Sequence, residues 1–84
     1  MSDPGRNGAI AVLDARGLIC PLPVIRTQQR IESLDDGAIL DVLATDPGTL
    51  HDVPAWCRVH GHEVVEMHRD GREIRVRVRV RRTP

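Results

Sequence analysis

The segment "REIRVRVRV", Arg72 to Val80, alternates charged and apolar residues with a strict period of two. A strand sends successive side chains to opposite faces, so this pattern demands a half-buried strand. Ile74, Val76, Val78 and Val80 fall on the covered face, and Arg75, Arg77, Arg79 and Arg81 on the open one. The run "HEVVEMHR" precedes it across Asp70-Gly71, a strong two-residue hairpin marker. With Asp70 and Gly71 as the turn, the expected partners are Arg69 with Arg72, His68 with Glu73, Met67 with Ile74, Glu66 with Arg75, and Val65 with Val76.

Upstream, "AIAVLD" (Ala9 to Asp14) reads as a short buried strand, and Gly17 breaks it. Val24, Thr27, Ile31 and Leu34 then recur at helical spacing, which predicts a helix from about Pro21 to Leu34 with both prolines in its first turn. "DDG" ends that helix, and "AILDVLA" (Ala38 to Ala44) is a second strand. In "TDPGT", Asp46 suits a helix cap and Pro47 the first helical position. Leu50, Val53 and Cys57 share one face of the helix that follows, Gly61 stops it, and Pro54 predicts a kink or a 3₁₀ first turn. The order β-α-β-α-β-β implies an α+β two-layer sandwich: a four-stranded mixed sheet with two helices on one face and the other face open to water.

The chain has 84 residues, enough for one small domain over about residues 9–81. Residues 1–8, "MSDPGRNG", read as a flexible polar lead-in without the apolar run of a secretory signal, and residues 82–84 as a short tail. No run reaches transmembrane length, so membrane insertion is not expected. The two cysteines, far apart and without a signal peptide, suit free thiols in a reducing cytoplasm rather than a disulfide framework. Formal net charge is zero and Trp56 is the only aromatic residue. Neither bulk charge nor base stacking therefore favours direct nucleic-acid binding. The Arg-rich last strand is ordinarily a solvated sheet surface. Its alternative role is docking of RNA or an acidic partner through Arg77 and Arg79.

The chemistry-bearing candidate is Cys20, in "GLICPLPVIR". At a helix N-terminus it faces unpaired N–H groups and the positive end of the helix dipole, so its pKa is expected to fall. Pro21 and Pro23 stiffen the turn and hold the sulfur outward, and Arg16 or Arg26 adds positive charge if either lies close. The competing reading is a small buried hydrophobe, a frequent use of free cysteine. A "CxxC" redox motif would need a second cysteine where Pro23 stands, and a cysteine hydrolase would need a general base that the sequence does not place. A lone exposed thiol suits accepting a group and passing it on. A thiol-redox sensor is a rival reading.

"CPLP", Cys20 to Pro23, preceded by "LDARGLI" and followed by "DDG", "TDPGT", "HDVPAWC" and "HGHEVV" in that order, resembles the TusA family of sulfur-carrier proteins, also called SirA-like. The resemblance covers about Val12 to Val80. It implies a persulfide relay: a cysteine desulfurase or other sulfur donor loads Cys20, which hands the sulfur to an acceptor protein in tRNA 2-thiouridine synthesis or sulfur oxidation. No cofactor is implied beyond the transient persulfide. Gly17, Pro21, Pro23 and Asp46 are the supporting positions, with Asp46 expected near Cys20 as a cap and as a possible steering group. Arg16, Arg26, Arg77 and Arg79 are the partner-docking candidates. Cys57, on the apolar face of its helix, is expected to pack in the core. No metal site is expected, because "CRVHGH" matches no zinc spacing.

Overall fold

The computed structural model describes residues 10–82. The lead-in expected at residues 1–8, the start of the first strand at Ala9 and the end of the tail at residues 83–84 lie outside the described residues. The elements are β1 (Ile10–Asp14), α1 (Leu22–Ile31), β2 (Ile39–Ala44), α2 (Thr49–His60), β3 (Glu63–Asp70) and β4 (Glu73–Arg79). The sheet order is β1-β2-β4-β3, with β1 and β2 parallel and the other neighbours antiparallel. This is the expected α+β mixed sheet, and its last strand is an interior one. That position explains why the apolar side of β4 is so regular: Ile74, Val76, Val78 and the following Val80 are essentially inaccessible.

The core lies between the sheet and the helices. Leu40, Val42 and Ala44 from β2 meet the β4 valines, Ile31 at the end of α1, Leu34 in the turn after it, where the helix was expected to continue, and Val53 and Cys57 from α2. Each helix buries one i, i+4 row: Pro23, Thr27 and Ile31 in α1, and Thr49, Val53 and Cys57 in α2. Thr27 is tolerated there because its Oγ1 donates to the Pro23 carbonyl at 2.7 Å. Pro23, placed by the sequence as a stiffener, is thus also a core residue. Pro21 stands ahead of the helix as its N-cap, with a cis bond to Cys20, instead of inside the first turn.

Two other expectations are corrected. β1 is an edge strand with Val12 half exposed on the open face, not a buried strand; only Ala11 and Leu13 turn toward the helices. Asp46 does not cap α2. Gly48 is the N-cap, and the bonds from Thr49 N–H to Asp46 carbonyl (3.0 Å) and from Leu50 N–H to Pro47 carbonyl (3.1 Å) make a 3₁₀-like turn that leads into the helix. That turn is the 3₁₀ start expected ahead of Pro54, which then sits within one continuous helix that ends at Gly61 (φ +81°) with His62 N–H bonded to the Cys57 carbonyl at 2.8 Å.

The hairpin register also differs. The turn residues are Gly71 and Arg72, so Asp70 pairs with Glu73, Arg69 with Ile74, His68 with Arg75, Met67 with Val76 and Glu66 with Arg77. Gly71 has φ +61°, and among the described residues no non-glycine residue has positive φ. Placing Asp70 in a type I′ turn would have forced it into the left-handed region, whereas a turn with glycine first requires positive φ only where it costs nothing. Moving the turn by one residue shifts the pairing by two, so the faces are preserved. A bulge between Val64 and Glu66 then makes Val64, rather than Val65, the residue opposite Val78.

Candidate functional site

Because β1 and β2 are parallel neighbours, the loops that follow them emerge at the same edge of the sheet. Three hydrogen bonds tie the first loop to the end of β2 and the loop that follows it. Ala15 N–H donates to the Leu43 carbonyl at 2.8 Å, Gly17 N–H to Thr45 Oγ1 at 2.9 Å, and Cys20 N–H to Asp46 Oδ2 at 3.0 Å. Gly17 takes φ +82°, the left-handed conformation that this tight path requires. A further bond from Leu22 N–H to the Ile19 carbonyl, 2.9 Å, closes the turn around the cysteine. Cys20 is exposed. Around it, Ile19 is 70% exposed and Leu22 and Ile25, on the first turns of α1, are each about 40% exposed. The thiol therefore stands on a fixed backbone with an apolar surround.

The electrostatics of Cys20 reverse the sequence expectation. Its thiol is held above the ordinary thiol range, first by a hydrogen bond to the Asp52 carboxylate, then by partial desolvation and by the negative charges of Asp52 and Asp46. Cys20 lies ahead of the helix proper, so the dipole acts on it less directly than these carboxylates do. The positive charge expected from Arg16 is committed elsewhere: its guanidinium binds Asp14 at 2.9 Å and reaches Glu73 at 3.4 Å. Arg26 is exposed on α1. Asp52 was not singled out by sequence reasoning. The available signal was its place in the first turn of α2, next to the Asp46 loop that parallel strands bring to the Cys20 edge.

Cys57 is fully buried, and burial pushes its thiol up to about 11. It is inaccessible where Cys20 is open, which disfavours pairing the two in a redox switch. Among the described residues, no three His, Cys, Asp or Glu side chains converge on a point where they could hold a metal ion. His60 and His62 instead flank Trp56, with ring centroids at 4.6 and 5.4 Å, and His62 Nδ1 accepts the Arg81 N–H at 3.1 Å. No described helix is long and apolar enough to cross a membrane.

The arginine face is partnered by acids. Arg77 makes a two-point contact with Asp41 (2.7 and 3.0 Å), Arg75 reaches Glu66 at 3.2 Å, and Arg79 and Arg81 share Glu63 at 3.3 and 2.6 Å. Asp41, concealed in the sequence by an apolar run, is only 7% exposed beneath Arg77. With its charges matched across the strands, the face lacks the unopposed arginines that phosphate binding uses. Arg77 and Arg79 therefore act first as cross-strand partners of Asp41 and Glu63.

Fold and site together define a two-layer α+β domain that presents one open thiol on a stitched turn. A profile of the family described as sulfurtransferase TusA matches residues 11–80. Sulfur carrier protein TusA of Pseudomonas putida (strain GB-1) is 47% identical over 60 residues, covering 71% of this chain and 75% of that protein. Sulfur carrier protein TusA of Pseudomonas savastanoi pv. phaseolicola is 47% identical over 66 residues, covering 77% and 79%. The crystal structure of a SirA-like protein from Desulfitobacterium hafniense superposes with a TM-score of 0.73 at 25% identity, covering 87% of this chain and 99% of that one. The chain belongs to the TusA family.

Proposed function

We propose that this protein is a sulfur carrier that accepts sulfane sulfur as a persulfide on Cys20 and passes it to an acceptor protein. The observation that carries the reading is the exposure of Cys20 on a turn whose backbone is fixed by Asp46 and Thr45, in a chain of the TusA family. Cys20 sulfur attacks the outer sulfur of a donor persulfide, an S–S bond forms to Cys20, and the donor cysteine leaves as a thiol. Delivery repeats the exchange, with the acceptor as nucleophile. Both steps are displacements at sulfur that need no external oxidant or reductant, and the carrier requires no cofactor of its own. The donor is a cysteine desulfurase or another persulfide-bearing protein, the acceptor serves tRNA thiolation or sulfur oxidation, and the compartment is the cytoplasm. The apolar side chains Ile19, Leu22 and Ile25 beside the thiol suit transient docking of such partners.

Incubation with a cysteine desulfurase and cysteine, or with a low-molecular persulfide, is expected to add the mass of one sulfur atom at Cys20. Cys20→Ser abolishes the gain and Cys57→Ser leaves it largely intact. A wild-type protein that acquires no sulfur, or acquires it at Cys57, overturns the reading.

A further inference from the structure

The helix layer stops short of the outer strand β3. This edge strand has eight residues, whereas β1, the other edge, has five. Met67 pairs with Val76, which is fully buried on the covered face, yet Met67 itself is 51% exposed. Beside it runs a groove of about 360 Å³ lined by Pro54, Arg58, His62, Val64 and Met67. Val65, in the bulge, is 42% exposed as well. An edge strand also carries a row of backbone N–H and C=O groups that no neighbouring strand meets, and with exposed apolar side chains that row is a template for another strand.

We propose that β3 is a dimer interface: it pairs antiparallel with β3 of a second copy of this chain, about a two-fold axis at Met67, and joins the two sheets into one. The charges of the strand select both the occupant and the register. A two-fold axis normal to the sheet sets one residue opposite itself and opposes the residues on either side of it to each other. Glu66 or Arg69 on the axis would bring like charges face to face, and His68 there would set Glu66 against Asp70 twice. Val65 on the axis would centre the pairing on the bulge, where the ladder is irregular. With Met67 on the axis the two methionines meet, and Glu66 opposes the partner's His68 at both symmetry-related positions. Arg75 and Arg77 both approach Oε1 of Glu66, at 3.2 and 3.7 Å, so Oε2 keeps its capacity to accept an imidazole N–H. Val65 opposes Arg69, whose Nε donates to the Gly71 carbonyl at 3.0 Å and so turns the guanidinium toward its own hairpin turn. Met67, unbranched and flexible, suits the groove of the other copy. The interface goes beyond the carrier reading and is compatible with it, because β2 and β4 separate β3 from β1, the strand that leads to the exposed Cys20.

The test is sedimentation velocity of the full chain in reducing buffer at neutral pH, from micromolar to millimolar concentration. Wild type is expected to pass from monomer to dimer as concentration rises. His68→Glu opposes acid to acid, and Glu66→Lys opposes lysine to imidazole. Each alone is expected to weaken self-association about tenfold, since symmetry reverses two cross-strand pairs at once. Mixed in equal amounts, the two variants are expected to regain the dimer, because the introduced lysine and glutamate then face each other and the native pair reforms at the other position. A wild type that stays monomeric at millimolar concentration overturns the proposal and leaves the edge to a strand of another protein. A dimer that either variant keeps at wild-type strength overturns it too, as does a mixture that regains nothing. If Glu66→Lys fails to fold for want of its contacts with Arg75 and Arg77, Met67→Arg replaces it. That change sets two guanidinium groups on the axis, so a dimer that survives it overturns the proposal.

Discussion

The Cys20 N–H donates to Asp46 Oδ2 at 3.0 Å, tying the residue that ends one βα loop to the residue that begins the next. The other oxygen of Asp46 accepts Gly48 N–H at 3.3 Å, so a single half-buried side chain sets the spacing of both turns. Asp46→Ala frees two backbone donors and is expected to lower stability by about 1 kcal/mol, with urea unfolding as the measurement. Hydrogen exchange gives a sharper readout: the Cys20 and Gly48 amides should lose protection well before the amides of β4 do.

The buried thiol of Cys57 makes a prediction at alkaline pH. Its pKa is raised from about 9 to about 11 by burial, so between these values the unfolded chain releases a proton that the folded chain keeps. The contribution to stability is complete below about pH 9 and is lost as pH rises through about 11. Unfolding curves for wild type should therefore show falling stability across this window, and Cys57→Ala should remove that part of the slope. The Ala variant is expected to be less stable at neutral pH by about 1 kcal/mol, through the small cavity it leaves.

How far the sequence reaches is visible in single residues. The face of Ile74, Val76, Val78 and Val80 follows from period-two alternation alone, since burial of one side of a strand admits no other assignment. The partners of that strand do not follow, because the turn is chosen by which residue must take positive φ, and Gly71 in the first turn position spares Asp70. The place of Cys20 was legible from the prolines and the helical stripe. Its ionisation was not, because Asp52 reads locally as an ordinary first-turn acid and reaches the thiol only through the packing of two loops at one sheet edge. Asp41 illustrates the same limit: in "AILDVLA" it interrupts an apolar run, and only the pairing of β2 with β4 puts Arg77 opposite it.

At acid pH the corresponding group is Asp14. The Arg16 guanidinium and backbone N–H, both bonded to its carboxylate, hold its pKa at about 2. A depressed folded pKa stabilises the folded state above the unfolded value of about 3.8, and that stabilisation is lost as pH falls through about 2. Asp14→Asn should flatten the acid limb of a thermal melting series over this window. Because the pair is open to solvent, added salt should weaken the wild-type effect as well.

Thr49 offers a stabilising change at the same end of the molecule. It is 1% exposed at the start of α2, and its Oγ1 has no hydrogen-bond partner. Burying a hydroxyl without a partner costs more than burying a methyl group of the same shape. Thr49→Val keeps the β-branched outline and removes that cost, so the variant should unfold at a higher urea concentration, with a gain of about 1 kcal/mol. Sulfur loading at Cys20 serves as the control, because Thr49 contributes packing and no polar group to the thiol. If Thr49→Val is instead destabilised and loads sulfur more slowly, the hydroxyl has a partner in solution and belongs to the α2 turn that holds Asp52.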